Sequence, residues 1–312
     1  MSNLSPYQNV GVKYLAANKW ALLADDMGLG KTAQAITASD AVSAKSILII
    51  CPAVARVNWQ REFSEWSVFS PTFKICESSK DYPRFKTICS YDYATDNVEK
   101  LKGIEWDLII CDESHFIKEP NTKRTQAIYG KNGLVRHTER MWLLSGTPAP
   151  NNASELWTML YTFGCTPLDF DKFCQAFCQT RPTFYRGVRR DKVVGSKKDK
   201  IPEIKAMLSK IMLRRLKKDV LKELPPISYS QLTVEGQDLL EVIEADLQKV
   251  KLETRGLEES LKHANTLEEM AFIIEKLGDS VSTLRRYVGL QKVKSVAELI
   301  TQELEDGAYE KI

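Results

Sequence analysis

Five apolar runs, at residues 20–24, 46–51, 85–89, 107–111 and 141–145, set the tightest limit on what this chain can fold into. Each is too short for a buried helix and too continuously apolar for a strand with one wet face. That combination is the pattern of strands covered on both sides. Amphipathic stretches at 32–42, 54–66 and 152–163 lie between several of them and read as helices. Strands and helices in alternation predict an α/β fold, a parallel sheet flanked by helices. With 43% hydrophobic and 27% charged residues, the 312-residue chain can fill such a core and falls outside the disordered classes.

The pattern changes near residue 165, so residues 1–165 read as one lobe. Residues 166–234 read as a helical, basic insertion that returns to the lobe in a last strand at 227–234. Within it, the Gly/Lys-rich stretch 187–200 reads as an exposed loop. A helix then runs from Glu203 through Leu213 toward Leu221, and Pro225 and Pro226 stop it. Leu239, Ile243, Leu247, Val250, Leu257 and Leu261 recur at helical steps. They predict a helical protrusion over 235–300, with 267–277 as its return partner.

Charge and cysteine usage narrow the setting. Residues 181–222 carry fifteen Lys or Arg against four Asp or Glu, in a chain whose net charge is only +3. Such a concentration fits a polyanion partner or a solvated basic loop. Seven cysteines are scattered, and Cys51, Cys89 and Cys111 end apolar runs as buried thiols do. Cys174 and Cys178 stand one helical turn apart, but no second Cys or His pair completes a zinc site. The cysteines therefore read as structural thiols in a reducing compartment. No apolar run approaches the roughly 20 residues of a membrane span, and the N-terminus lacks a signal-peptide pattern. The expectation is a soluble intracellular protein with no membrane partner, cytoplasmic in a bacterium or virus and nuclear in a eukaryote.

The sharpest chemical signal is Asp26-Met27-Gly28-Leu29-Gly30-Lys31-Thr32, directly after one apolar run and directly before a helix. Gly28 and Gly30 let the backbone turn so that its N–H groups face a phosphate, and the helix adds its positive end. Lys31 would reach the β- and γ-phosphates, and the Thr32 hydroxyl would help hold magnesium. Asp25 stands where the common form of this loop has its first glycine. A second run, 107–111, emits Asp112-Glu113-Ser114-His115. An acid at such a strand end binds the metal and the next carboxylate polarises the attacking water. That assigns Asp112 to magnesium and Glu113 to the water. A third run leads into the hydroxyl-rich turn Ser145-Gly146-Thr147-Pro148.

Taken in order, Asp25-Asp26-Met27-Gly28-Leu29-Gly30-Lys31-Thr32, Asp112-Glu113-Ser114-His115 and Leu143-Leu144-Ser145-Gly146-Thr147-Pro148 resemble motifs I, II and III of the Swi/Snf-type ATPases of helicase superfamily two. Pro6-Tyr7-Gln8 resembles the glutamine motif, and Ile49-Ile50-Cys51-Pro52 with Trp59 and Glu62 resembles motif Ia. Ser90-Tyr91-Asp92 resembles motif Ib, and Leu213-Arg214-Arg215-Leu216-Lys217-Lys218-Asp219-Val220 a family signature of the annealing-helicase branch. The resemblance implies a RecA-like lobe that binds ATP and magnesium and couples hydrolysis to tracking on duplex DNA. Under it Gln8 reads the adenine edge, and His115, Ser145 and Thr147 couple nucleotide to DNA. Pro52, Ser90, Tyr91, Lys118, Arg214 and Arg215 become candidate contacts to DNA phosphates. Lys217 and Lys218 either join them or solvate a helix face. The catalytic arginines of the family lie on a second RecA-like lobe, to which 301–312 would lead. The expectation is therefore a motor lobe poorly active without that partner, supplied in cis or in trans. A stand-alone, non-catalytic DNA- or protein-binding module is the alternative.

Overall fold

The computed structural model of the chain describes residues 4–149, 151–185, 188–221 and scattered positions between 293 and 305. By its internal contacts the chain divides into two compact units, Met1–Arg181 with Lys192–Leu224, and Pro182–Asp191 with Pro225–Ile312. The candidate site lies in the first.

That unit is built on seven strands: β1 (Trp20–Leu23), β2 (Ile47–Cys51), β3 (Lys74–Cys76), β4 (Lys86–Ser90), β5 (Leu108–Asp112), β6 (Met141–Leu144) and β9 (Met212–Leu213). They form one sheet in the order β3-β4-β2-β5-β6-β1-β9, and every pairing is parallel. The register runs straight across the middle, with Ile49 opposite Ile110 and Ile110 opposite Trp142. Because side chains alternate along a strand, each apolar run feeds two cores. Leu22, Leu48, Ile50, Ile109, Cys111 and Leu143 point to one face, and Leu23, Ile47, Ile49, Leu108, Ile110 and Leu144 to the other. All are buried, which is why the runs show no polar alternation.

The second face is covered by α1 (Pro6–Ala17), α2 (Lys31–Ala41) and α3 (Arg56–Trp66), which contribute Leu15, Ile36, Trp59 and Phe63. The first face packs on α4 (Tyr91–Asp96), α5 (Val98–Lys102), α6 (Lys123–Tyr129), α7 (Trp157–Thr162), α8 (Phe170–Phe177) and α9 (Ile201–Leu208). This is the doubly covered α/β lobe that the strand–helix alternation predicts. All seven cysteines are unpaired and six are buried, most of them in these two cores. Among the described residues no helix is long and apolar enough to cross a membrane.

Two expectations beyond residue 165 are corrected. The stretch 187–200 is not simply an exposed loop, because β7 (Cys178–Tyr185) and β8 (Val188–Ser196) pair as a two-stranded ribbon. The β-branched residues Thr180, Thr183, Val193 and Val194 favour that pairing despite the surrounding lysines. Nor does one helix run from Glu203 toward Leu221. The chain leaves α9 at Leu208, and Met212 and Leu213 form the edge strand β9 beside Leu22 and Leu23, followed by the short α10 (Lys217–Val220). The strand expected at 227–234, the protrusion at 235–300 with its helix at 267–277, and most of 301–312 lie outside the described residues.

Candidate active site

In an open parallel sheet the carboxyl ends of the strands share one edge, and ligands bind there. Here that edge collects the loop after β1, the acids after β5 and the turn after β6. The loop is shaped by its glycines: Gly28 has φ +82° and Gly30 φ +69°, values that side-chain-bearing residues adopt only at a cost. A Cβ on Gly30 would also lie 2.3 Å from Gln8 Nε2. Gln8 bridges the start of α1 to the loop, accepting from the Ser5 N–H at 2.8 Å and donating to the Leu29 carbonyl at 3.4 Å. Lys31 opens α2 and its Nζ donates to the carbonyls of Asp25 and Asp26, at 2.9 and 3.3 Å. Burial lowers its pKa, and the surrounding charges of Glu113, Asp25, Asp112 and Asp26 oppose that shift.

At the end of β5, Asp112 is held by neutral donors. The Trp59 indole N–H donates to Oδ2 at 2.9 Å and the Glu113 N–H to Oδ1 at 3.0 Å, while the Tyr91 hydroxyl donates to the Asp112 carbonyl at 2.7 Å. Burial raises the Asp112 pKa above the usual carboxylate value; the Trp59 hydrogen bond works against the shift and the neighbouring Glu113 charge works with it. Glu113 sits in the left-handed region, at φ +49° and ψ +53°, a strained conformation for a residue with a side chain. The turn aims its carboxylate at His115, with Oε2 3.2 Å from Nδ1, and the same nitrogen lies 3.4 Å from Ser145 Oγ. Ser145 Oγ in turn accepts from the Thr147 N–H at 3.3 Å.

Among the described residues no three His, Cys, Asp or Glu form a preformed metal cage. Magnesium does not need one, since it is commonly held by one or two carboxylates together with substrate phosphates. The hard oxygen donors of Thr32 and Asp112 fit that requirement, and no cation among the described residues pairs with Asp112 at salt-bridge distance.

The nominated phosphate contacts are placed differently, and four of them have side chains turned onto partners inside the lobe. Tyr91 is buried, with its hydroxyl committed to Asp112. Ser90 is buried, and its hydroxyl caps α4 by accepting from the Tyr93 N–H at 3.1 Å. Lys118 reaches inward to buried Glu155 at 2.5 Å, where Asn151 donates to the same carboxylate. Arg215 turns onto Asp25, Gln34 and the Tyr7 carbonyl. Pro52 stays partly exposed just after β2, and Arg214 is exposed with contacts to Asp26 and the Gly146 carbonyl.

Sequence reasoning left Trp59, Asp25, Asp26 and Gln34 without roles. For Asp25 a signal existed: a carboxylate emitted straight from a wholly buried strand demands a partner. Nothing in the linear pattern named Arg215 as that partner.

A parallel sheet with a glycine loop leading into a helix, and paired acids two strands away, defines a RecA-like nucleotide-binding lobe. The family model of the SNF2-related domain matches residues 7–243, and the chain belongs to that family. It is similar to the TATA-binding protein-associated factor mot1 of Schizosaccharomyces pombe, at 34% identity over 267 residues, covering 72% of this chain and 13% of that protein. A SWI/SNF-related matrix-associated actin-dependent regulator of chromatin subfamily A-like protein 1 from Bos taurus is 34% identical over 236 residues, covering 72% of this chain and 24% of that one. Helicase SWR1 of Kluyveromyces lactis is 34% identical over 261 residues, 70% of this chain and 16% of its own length. The chain thus spans a minor part of these relatives. In fold it resembles the SWI2/SNF2 ATPase core of Sulfolobus solfataricus in complex with double-stranded DNA, with a TM-score of 0.57 at 24% identity over 98% of this chain and 65% of that one.

Proposed function

We propose that this chain is the nucleotide-binding lobe of a DNA-dependent ATPase that tracks along duplex DNA. The observation that carries the reading is the convergence of the glycine loop, the Asp112-Glu113 pair and the 145–147 turn on one edge of one sheet. Gln8 meets the adenine edge, and the loop N–H groups with Lys31 hold the phosphates. Thr32 and Asp112 hold magnesium, which when bound neutralises charge developing on the phosphates. Glu113 orients the attacking water. His115, within reach of both Glu113 and Ser145, carries the nucleotide's state to the turn at Thr147.

Duplex DNA enters this reading from the family and from the double-stranded DNA bound to the similar archaeal core. Pro52 and Arg214 remain the nominees for its backbone. The arginines that complete transition-state stabilisation come from a second RecA-like lobe, and their absence from a reaction costs about 10³–10⁵ in turnover. Steady-state ATPase assays of this chain test the proposal, run with and without duplex DNA and with a Lys31→Ala control. Slow turnover that needs Lys31, rises with duplex DNA and rises again with an added second-lobe polypeptide supports it. Duplex DNA binding unaffected by Mg·ATP and by Lys31→Ala would favour a non-catalytic binding module instead.

A further inference from the structure

The residues after β9 are strapped across the base of the phosphate loop. Asp25 is fully buried, and its Oδ1 accepts from the Arg215 backbone N–H at 3.1 Å and from Arg215 Nε at 2.9 Å. Arg215 Nη2 donates to Asp25 Oδ2 and, at 2.7 Å, to Gln34 Oε1. Gln34 then donates through Nε2 to Asp25 Oδ2 at 3.2 Å and to the Leu29 carbonyl, inside the loop, at 3.0 Å. The remaining arm of the guanidinium donates to the Tyr7 carbonyl at the start of α1, with the Tyr7 ring 5.4 Å away. Gly11 makes room for the cluster, since a Cβ there would collide with Gln34 Oε1 and crowd Arg215 Nη2.

The neighbours of Arg215 repeat the pattern one step along. The Asp26 N–H donates to the Arg215 carbonyl at 3.0 Å, and Asp26 Oδ2 accepts from the Lys217 N–H at 2.9 Å. Arg214 lies 3.6 Å from Asp26 and donates to the Gly146 carbonyl at 3.2 Å, tying in the turn after β6. One strap thus meets both acids at the root of the loop, both flanking helices and the 145–147 turn.

We propose that Arg215 is a positioning residue for nucleotide binding, whose fork on Asp25 holds the phosphate loop in its binding conformation; this rests on the nucleotide-site reading above. A loop with two left-handed glycines has many conformations open to it, and ordering it on binding would weaken affinity. The clasp removes that cost beforehand. It also cancels the Asp25 charge, which would otherwise repel an incoming polyphosphate. Arginine is required because only a planar fork reaches both carboxylate oxygens, Gln34 and a carbonyl together.

Titration calorimetry of the chain with Mg·ATP, together with hydrogen exchange of the unliganded protein, tests this on two variants. Arg215→Lys keeps the charge and loses the fork. The double variant Asp25→Asn with Arg215→Gln replaces the pair by neutral groups, the glutamine being too short to span Asp25, Gln34 and the Tyr7 carbonyl together. Both are expected to bind Mg·ATP roughly tenfold more weakly or worse. Amides of residues 26–30 should exchange faster in both, while those of β2 and β5 stay protected. A purely structural pair would lower the melting temperature and leave affinity and loop exchange alone. Binding within about twofold of wild type in either folded variant, with Lys31→Ala still abolishing binding, overturns the clasp by itself. Wild-type binding that does not depend on Lys31 overturns the underlying site as well.

Discussion

Two acids stand at the ends of neighbouring parts of the same sheet and are treated in opposite ways. Asp25, after β1, is sealed from solvent and its charge is cancelled by Arg215. Asp112, the last residue of β5, is half-buried, and its partners are the neutral indole of Trp59 and a backbone N–H. Neutral donors satisfy the oxygens of Asp112 without removing the negative charge, so burial and the nearby Glu113 push its pKa up. The difference fits the separate roles proposed for the two acids. A carboxylate that only ties chain segments together is best neutralised by the tie. A carboxylate that must attract a cation has to keep its charge, at a standing cost to the fold.

The largest expected effect separates the two directly. Asp25→Ala strands the largely buried Arg215 and should cost about 3–5 kcal/mol in unfolding free energy. Asp112→Ala leaves only the Trp59 and Glu113 donors unmatched and should cost at most about 1–3 kcal/mol, while removing magnesium-dependent nucleotide binding. Urea denaturation beside Mg·ATP titration checks both; equal stability losses would break the comparison.

Next comes the donor itself. The folded pKa of Asp112 lies above its usual 3.8, so the stability this group contributes is full below 3.8 and is lost as pH rises through the folded value. Metal binding needs the ionised form, so its acid limb should be displaced upward in the same direction. Trp59→Phe keeps the ring's packing against Phe63 but removes a hydrogen bond that lowers the Asp112 pKa. The acid limb of Mg·ATP binding should therefore move to higher pH, and a pH series of titrations would show it. An unmoved limb would mean the indole is only packing.

Glu155 sharpens the contrast from the other side, being paired like Asp25. Burial would raise its pKa, but hydrogen bonds from Lys118 and Asn151 outweigh burial and leave it below the usual 4.5. Its contribution is present above 4.5 and is lost as pH falls through the folded value. Glu155→Gln should therefore be less stable than wild type at neutral pH, with the gap closing as pH drops below 4.5, read by melting temperature across pH. The smallest effect concerns backbone alone. Glu113→Gly relieves the left-handed strain and should gain up to about 1 kcal/mol, a rise of roughly 2–4 °C in melting temperature, while abolishing any turnover. A fall instead would show that the Glu113–His115 contact outweighs the strain.

Much of this molecule is legible in one dimension because its information is local. A short, continuously apolar run can only be a strand covered on both faces. A glycine pair between such a run and a helix can only be useful as a tight loop. Those patterns carry β1, β2, β4, β5 and β6, the glycine loop and the Asp112-Glu113 pair at the strand end. Two-residue β9 carried too little pattern to show within a helix-like stretch, and β3 is barely longer. The side-chain partners of the nominated phosphate contacts were hidden for a different reason. Ser90, Tyr91, Lys118 and Arg215 are polar groups whose partners lie elsewhere in sequence, and a side chain's freedom depends on what packs over it. By itself the sequence determined the five central strands, their covered faces and which residues meet at the carboxyl edge, through periodicity and steric rules acting over a few residues. Only the tertiary structure decided which charges are cancelled and which are left standing. Asp25 and Arg215 are 190 residues apart, and it takes the folded sheet to make them neighbours.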